Sequence, residues 1–292
     1  MKKSNKTGSL IVVAMIYLLA VYIGWLVLQQ TSFQHSMINI FVADVAATLI
    51  VFLFSFLLKN SSVYDPYWSV IPPFIAVFLI FNNPHGNFLR QYIMFGLILF
   101  WAMRLTANWA RGWTGLNHED WRYKKIAADT GKFYWPVSFI GIHLMPTLFV
   151  FLGCLPLWFT MSSHEPFNFI DIIAILITLI AVFVEWIADE QLRKYKKQKK
   201  LEPYMRSGLW SLMRHPNYFG EILFWTGLYL FVFATKNYNG WWTAVGFVSM
   251  IILFKFISIP LMEKRNMTNR PGYENYIREV NALLPLKKFK VR

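Results

Sequence analysis

Apolar residues run through this chain in stretches of helical length, interrupted by short polar segments. A helix needs about 20 mostly apolar residues to cross a bilayer. Eight segments meet that requirement, some with polar interruptions: 9–28, 37–58, 67–81, 91–110, 137–159, 169–188, 218–234 and 240–262. The third is short and carries Pro72 and Pro73, so a break or a tilt is expected there. The pattern predicts an all-α, polytopic helical bundle of seven or eight transmembrane helices. Internal repeats, low-complexity stretches and Gly-Ser linkers are absent from the sequence.

Composition agrees with that reading. The chain is 56% hydrophobic and only 15% charged, where a soluble domain carries about a quarter charged residues. Thirteen Trp and 14 Tyr fit aromatic belts at the two interfaces. A single cysteine, Cys154, excludes a disulfide framework within the chain and a cysteine-based zinc site, and no metal is expected. The formal charge of +14 is mostly topological: 26 of the 29 basic residues fall in the segments that share a side with the N-terminus if eight spans are threaded. The positive-inside rule makes that side cytoplasmic and leaves no role for nucleic acid. The first span is too long for a signal-peptide core and is followed by no small-residue cleavage site.

The polar chemistry gathers in four segments on the predicted cytoplasmic side. In "RLTANWARGWTGLNHEDWRYKK" (104–125), Arg104 and Arg111 share a helix face, and Asp120 and Tyr123 lie in the mixed-charge loop that follows. In "EWIADEQLRKYKKQKK" (185–200), Glu185, Asp189, Arg193 and Lys196 form one stripe, acidic first and basic last. Such a stripe is either a pair of ion pairs on an emerging helix or a polar wall for a ligand with a phosphate at its shallow end. "RHPNYFGE" (214–221) opens a helix with Arg214, His215, Asn217, Tyr218 and Glu221. Pro216 suits the first turn, and a helix N-terminus beside an arginine attracts anions. Beyond the last span stand Glu263 and Arg265, then a tail with Arg270, Tyr273, Tyr276 and Arg278, read either as a lipid-facing tail or as a flap over a charged cofactor. Lys255, two turns inside the last span, is expected to be buried against Asp44, Glu185 or Glu221.

These segments resemble the steroid 5α-reductase-like membrane reductases, in particular the bacterial branch known as the DUF1295 family. The resemblance rests on "VYDPYWSV" (63–70), "RLTANWARGW" (104–113), "HEDWRY" (118–123), "ADEQLRKYK" (188–196), "GLWSLMRHPNYFGEILFWTGLYL" (208–230) and the 262–285 stretch "MEKRN…RPGYENYIREVNALLP", in order over about 220 residues. It implies an oxidoreductase acting on a CH–CH group, with NADPH as donor. Hydride goes to the β-carbon of a lipophilic α,β-unsaturated ketone, 3-oxo-Δ4-steroid-like or another membrane-soluble enone. The family's cofactor-binding residues fall on Glu185, Asp189, Arg193, Lys196, Asn217 and Glu221, with its basic residue near Arg265. Arg104, Arg111, Asp120, Tyr123, Arg214, His215, Tyr218 and Glu263 complete the cofactor-binding candidates. No G-x-G-x-x-G fingerprint is present, so a Rossmann fold is not expected.

The reaction also needs an acid at the carbonyl oxygen, for which the family uses a carboxyl and a tyrosine. Asp65 lies where the carboxyl belongs; the family's tyrosine has no clear counterpart, since Asn108 or a neighbour occupies the expected helix, and Tyr64 or Tyr67 is the substitute the sequence offers. The implied organisation is one membrane domain over 1–292. Spans within 1–90 shape a lipid-substrate pocket, and 91–292 form a cofactor-binding core with a tail from 263. A monomer in a bacterial inner membrane is expected, taking its substrate from the bilayer and contacting membrane lipids. Two other readings remain open: an isoprenylcysteine methyltransferase-like enzyme using S-adenosylmethionine, which shares the RHPNY-like stretch, and a sterol- or lipid-binding protein without turnover.

Overall fold

Every regular element in the computed structural model, which describes residues 5–33, 36–198 and 203–286, is helical. In lipid each backbone N–H and C=O must be satisfied within its own segment, and a helix does that. Seven helical runs among the described residues are long and apolar enough to cross a membrane: Lys6–Gln30, Ser36–Leu57, Ser61–Asn82, Phe88–Gly112, Trp121–Met161, Phe169–Lys196 and Tyr238–Asn269. The chain is a multi-pass membrane protein. The remaining expected span, 218–234, forms as the helix Pro216–Ala234. Its opening turns carry the polar residues Asn217 and Glu221.

By internal contacts the chain forms two compact units, one of Met1–Gly86 with Ile98–Ser162, the other of Asn87–Leu97 with Ser163–Arg292. The first contains α1 (Lys6–Gln30), α2 (Ser36–Leu57), α3 (Tyr67–Asn82), the later part of α4 (Phe88–Gly112), α5 (Trp121–Thr130), α6 (Tyr134–Ser138) and α7 (Met145–Met161). A π-helical stretch, Phe139–Leu144, joins α6 to α7. Of the break or tilt expected at the prolines, the break does not occur: α3 runs through both Pro72 and Pro73. The Tyr17 hydroxyl on α1 donates to the Val63 carbonyl at 2.6 Å, which ties the helix to the turn before α3.

The second unit contains the start of α4, then α8 (Phe169–Lys196), α9 (Leu209–Leu212), α10 (Pro216–Ala234), α11 (Val245–Ile252), α12 (Ile259–Asn269) and α13 (Tyr273–Glu279). Helix α8 starts in a capping box: the Asn168 side chain accepts the Ile170 N–H, and Asp171 accepts the Asn168 N–H. Asp171 also receives both Nε and Nη2 of Arg90, at 2.7 and 2.8 Å, with both side chains wholly buried. Arg90 spends further N–H groups on the carbonyls of Glu165 and Pro166, so the buried charge is satisfied on all sides.

Helices α8 and α10 lie against each other along a seam of small residues. A Cβ on Gly220 would stand 2.4 Å from Glu185 Cγ and 2.9 Å from the Ala181 carbonyl oxygen. One on Gly227 would stand 2.3 Å from Thr178 Oγ1. Two glycines seven residues apart therefore let the backbones approach as small residues do in membrane helix pairs. Glu185 is thereby held against the opening of α10.

Candidate functional site

In the first unit the polar groups are organised around the turn before α3. Asn60 caps that turn by accepting the Ser62 N–H, and its amide donates to the Leu116 and His118 carbonyls at 2.6 and 3.0 Å. The "HED" segment is fixed from the other side: Glu119 accepts the Ser61 N–H at 2.9 Å, and the Asp120 N–H donates to Ser62 Oγ at 2.8 Å. Asp120 then caps α5 through the Arg122 N–H and pairs with the Arg122 guanidinium, both at 2.8 Å. Its carboxylate is thus employed in starting the helix. One residue beyond Arg122, the Tyr123 hydroxyl donates to Asp65 Oδ1 at 2.5 Å.

The two tyrosines expected beside Asp65 hydrogen-bond elsewhere. The Thr147 hydroxyl donates to the His143 carbonyl at 2.9 Å, so its oxygen accepts from Tyr64 at 2.7 Å and from Thr48 at 2.8 Å. The Tyr67 hydroxyl donates to Asp44 Oδ1 at 2.8 Å. Sequence reasoning considered Asp44 only as a partner for Lys255. The informative signal was a lone carboxylate in an apolar helix, which has to find a donor. Lys255 itself is exposed, its Nζ 5.4 Å from the Phe256 ring centroid, and so is not the buried lysine expected. Arg104 is buried and Arg111 exposed, both on the part of α4 within this unit.

The second unit gathers the other candidates. Glu185 and Glu221 are buried, and Glu221 accepts the Trp225 indole N–H at 3.1 Å. At the far end of the stripe, Arg193 pairs with Glu190 at 3.2 Å. Lys196 lies within electrostatic range of Asp189, Arg265 and Arg270. Three basic side chains and Asp189 thus come together at this end of the stripe.

Arg214 and His215 meet Glu263. Arg214 Nε donates to Glu263 Oε1 at 2.7 Å, and His215 Nε2 lies 3.1 Å from the same oxygen. The His215 ring stacks on Tyr218, and Tyr218 stacks on Phe254. Burial lowers the His215 pKa, although the hydrogen bond to Glu263 opposes that shift. Arg214 also fastens the tail. Its Nη1 donates to the Ile277 and Val280 carbonyls. The backbone N–H groups of Arg214 and His215 donate to Asn281 and Ala282 at 2.9 and 3.0 Å. The tail is a strap anchored further by Tyr276 on the Trp210 carbonyl and by an Arg206–Glu279 pair. Burial raises the pKa of both Tyr273 and Tyr276.

The family model described as "Protein of unknown function (DUF1295)" matches residues 51–280. The chain belongs to the DUF1295 family. It is also similar to "Uncharacterized protein C594.04c" of Schizosaccharomyces pombe, 26% identical over 252 residues, covering 78% of this chain and 73% of the fungal protein. No solved structure matches it. Residues 51–280 include every candidate site residue named above.

Proposed function

We propose that this DUF1295 protein reduces the C=C bond of a lipophilic α,β-unsaturated ketone with NADPH. The observation that carries the reading is the hydrogen bond from Tyr123 to Asp65. It joins a carboxyl and a tyrosine, the two groups expected to serve the carbonyl oxygen of an enone. With the Tyr123 proton directed at Oδ1, Asp65 acts in its protonated form, passing its carboxyl proton to the substrate oxygen as hydride arrives at the β-carbon. Tyr123 takes the place expected for Tyr64 or Tyr67.

The donor set of the second unit fits a phosphorylated dinucleotide. Lys196, Arg265 and Arg270 supply positive charge for phosphate, and Asn217, Glu221 and Glu185 supply hydrogen-bonding groups for ribose and carboxamide. NADPH, when bound, supplies the hydride. Arg214, committed to Glu263 and to the tail carbonyls, holds the strap in this reading rather than the 2′-phosphate. The skew of basic residues supports a cofactor side facing the cytoplasm, and the lysine-rich, cysteine-poor chain fits a bacterial inner membrane.

The test is thermal stabilisation of the detergent-purified protein by NADPH, NADH and S-adenosylmethionine, followed by enone turnover. A ligand at a hundred times its dissociation constant stabilises the native state by about 2.7 kcal/mol. A shift with NADPH and consumption of an enone are expected. A shift with S-adenosylmethionine alone would overturn the reductase reading in favour of methyl transfer.

A further inference from the structure

Helix α8 carries a second pattern, on the side away from the polar stripe. Leu176, Ile180, Phe183, Ile187, Gln191 and Lys194 follow one another at intervals of three or four, so they share a helix face, and Gln198 lies just past the end of α8. Gln191 is two residues beyond Asp189, which places it about 200° around the helix from the stripe. The first four residues of this face are apolar and exposed, at 54%, 54%, 48% and 47%. Gln191, Lys194 and Gln198 open onto a cavity of about 670 Å³, within the usual size range of small-molecule sites.

That cavity has the chemistry of an anion site. Its charged lining residues, Lys194 and Arg206, are both basic, and Gln191, Gln198, Tyr204 and Ser207 bring amide and hydroxyl groups. Among the described residues no lining residue is acidic, and Lys194 is the basic one not paired with Glu279. The Arg206 guanidinium sits 5.8 Å from the Tyr204 and Tyr276 ring centroids while paired with Glu279, which holds it at the rim. The cavity begins where a membrane-crossing helix turns polar, and an exposed apolar track runs into it along the same face.

We propose that this track binds an anionic phospholipid, with the phosphate headgroup in the cavity and an acyl chain along Leu176, Ile180, Phe183 and Ile187. The continuity of the apolar face with the basic cavity favours a lipid over a soluble phosphate, which would use only the cavity. The site is separate from the stripe assigned to the cofactor and does not depend on that assignment.

Native mass spectrometry of the full-length, delipidated protein tests the proposal. Phosphatidylglycerol and phosphatidylcholine are titrated separately, and inorganic phosphate is then added as competitor. Wild-type protein is expected to retain one phosphatidylglycerol in preference to phosphatidylcholine and to keep it in excess phosphate. Lys194→Glu should weaken retention roughly fivefold or more, as expected for a basic side chain at an anionic lipid. Lys124→Glu, a matched charge reversal far along the sequence, should leave it unchanged. Lys194 and Lys124 are exposed, so both variants should melt as wild type does in phosphatidylcholine. Equal retention by wild type and Lys194→Glu, or no preference between the two lipids, would overturn the site. Displacement by inorganic phosphate would reassign the cavity to a soluble phosphate and overturn the lipid assignment.

Discussion

Tyr123 and Asp65 lie 58 positions apart, yet the tyrosine hydroxyl donates to the carboxyl at 2.5 Å. The clamp formed by Asn60, Ser61, Ser62, Glu119 and Asp120 brings them together, since it binds the turn before α3 to the loop before α5. The "HEDWRY" stretch is thus a positioning device whose last residue faces the carboxyl. If the pair serves the substrate oxygen, Asp65→Asn and Tyr123→Phe should each lower enone turnover by roughly 10²–10⁴-fold, the range of general acid catalysis. Both should keep the thermal shift given by NADPH. Turnover within a factor of two of wild type in Asp65→Asn would remove Asp65 from the reaction.

Cofactor discrimination should follow the basic cluster around Lys196. Lys196→Ala and Arg265→Ala are expected to weaken NADPH by roughly tenfold or more while changing NADH much less, because only NADPH carries the 2′-phosphate. Arg214→Ala should behave differently, with similar losses for both cofactors and faster proteolysis of the 273–286 tail. Titrations by thermal shift, with limited proteolysis alongside, separate the two roles. A loss confined to NADPH in Arg214→Ala would return that arginine to the phosphate.

The close approach of α8 and α10 predicts a sharp steric response. Gly220→Ala would place a Cβ 2.4 Å from Glu185 Cγ and should cost about 1–3 kcal/mol, as overpacking does. Gly96→Ala on α4 meets nothing within 4 Å and should be neutral, or stabilising by up to about 1 kcal/mol. Melting temperatures in one detergent compare them. Equal melting temperatures would show that the seam tolerates separation.

Acid should loosen the His215–Glu263 junction through the histidine. Burial holds the His215 pKa below its ordinary value of 6.5, so the native state binds fewer protons there than the unfolded chain. Its contribution to stability is complete above about pH 6.5 and is lost as pH falls through the lowered folded value. The melting-temperature difference between wild type and His215→Gln should therefore be largest near pH 7.5 and shrink towards pH 5. A constant difference across that range would mean that the ring does not titrate with folding.

Much of the candidate site was legible as residue types and little of it as partners. Helical spacing alone put Glu185, Asp189, Arg193 and Lys196 on one face, and turn chemistry put Pro216 in the first turn of α10. The same spacing placed Asp189 and Lys196 beside Arg193 but did not single out its pair with Glu190. Arg214 read as an anion ligand, but two tail carbonyls and Glu263 occupy it. Tyr64 and Tyr67 are near Asp65 in sequence. Their hydroxyls instead satisfy Thr147 and Asp44.

The sequence by itself determined that this chain is helical and crosses a membrane several times. Those properties depend on the length of apolar runs against bilayer thickness and on satisfying the backbone within each segment. It also determined where the ionisable residues stand along each helix, because a period of 3.6 residues fixes their faces. Only the tertiary structure decided which of them touch. Tyr123 reaches Asp65, the tail closes on Arg214, and Gly220 admits Glu185, because each contact joins segments distant in the chain. Each is set by sterics and hydrogen-bond supply in the folded unit, which no local pattern encodes.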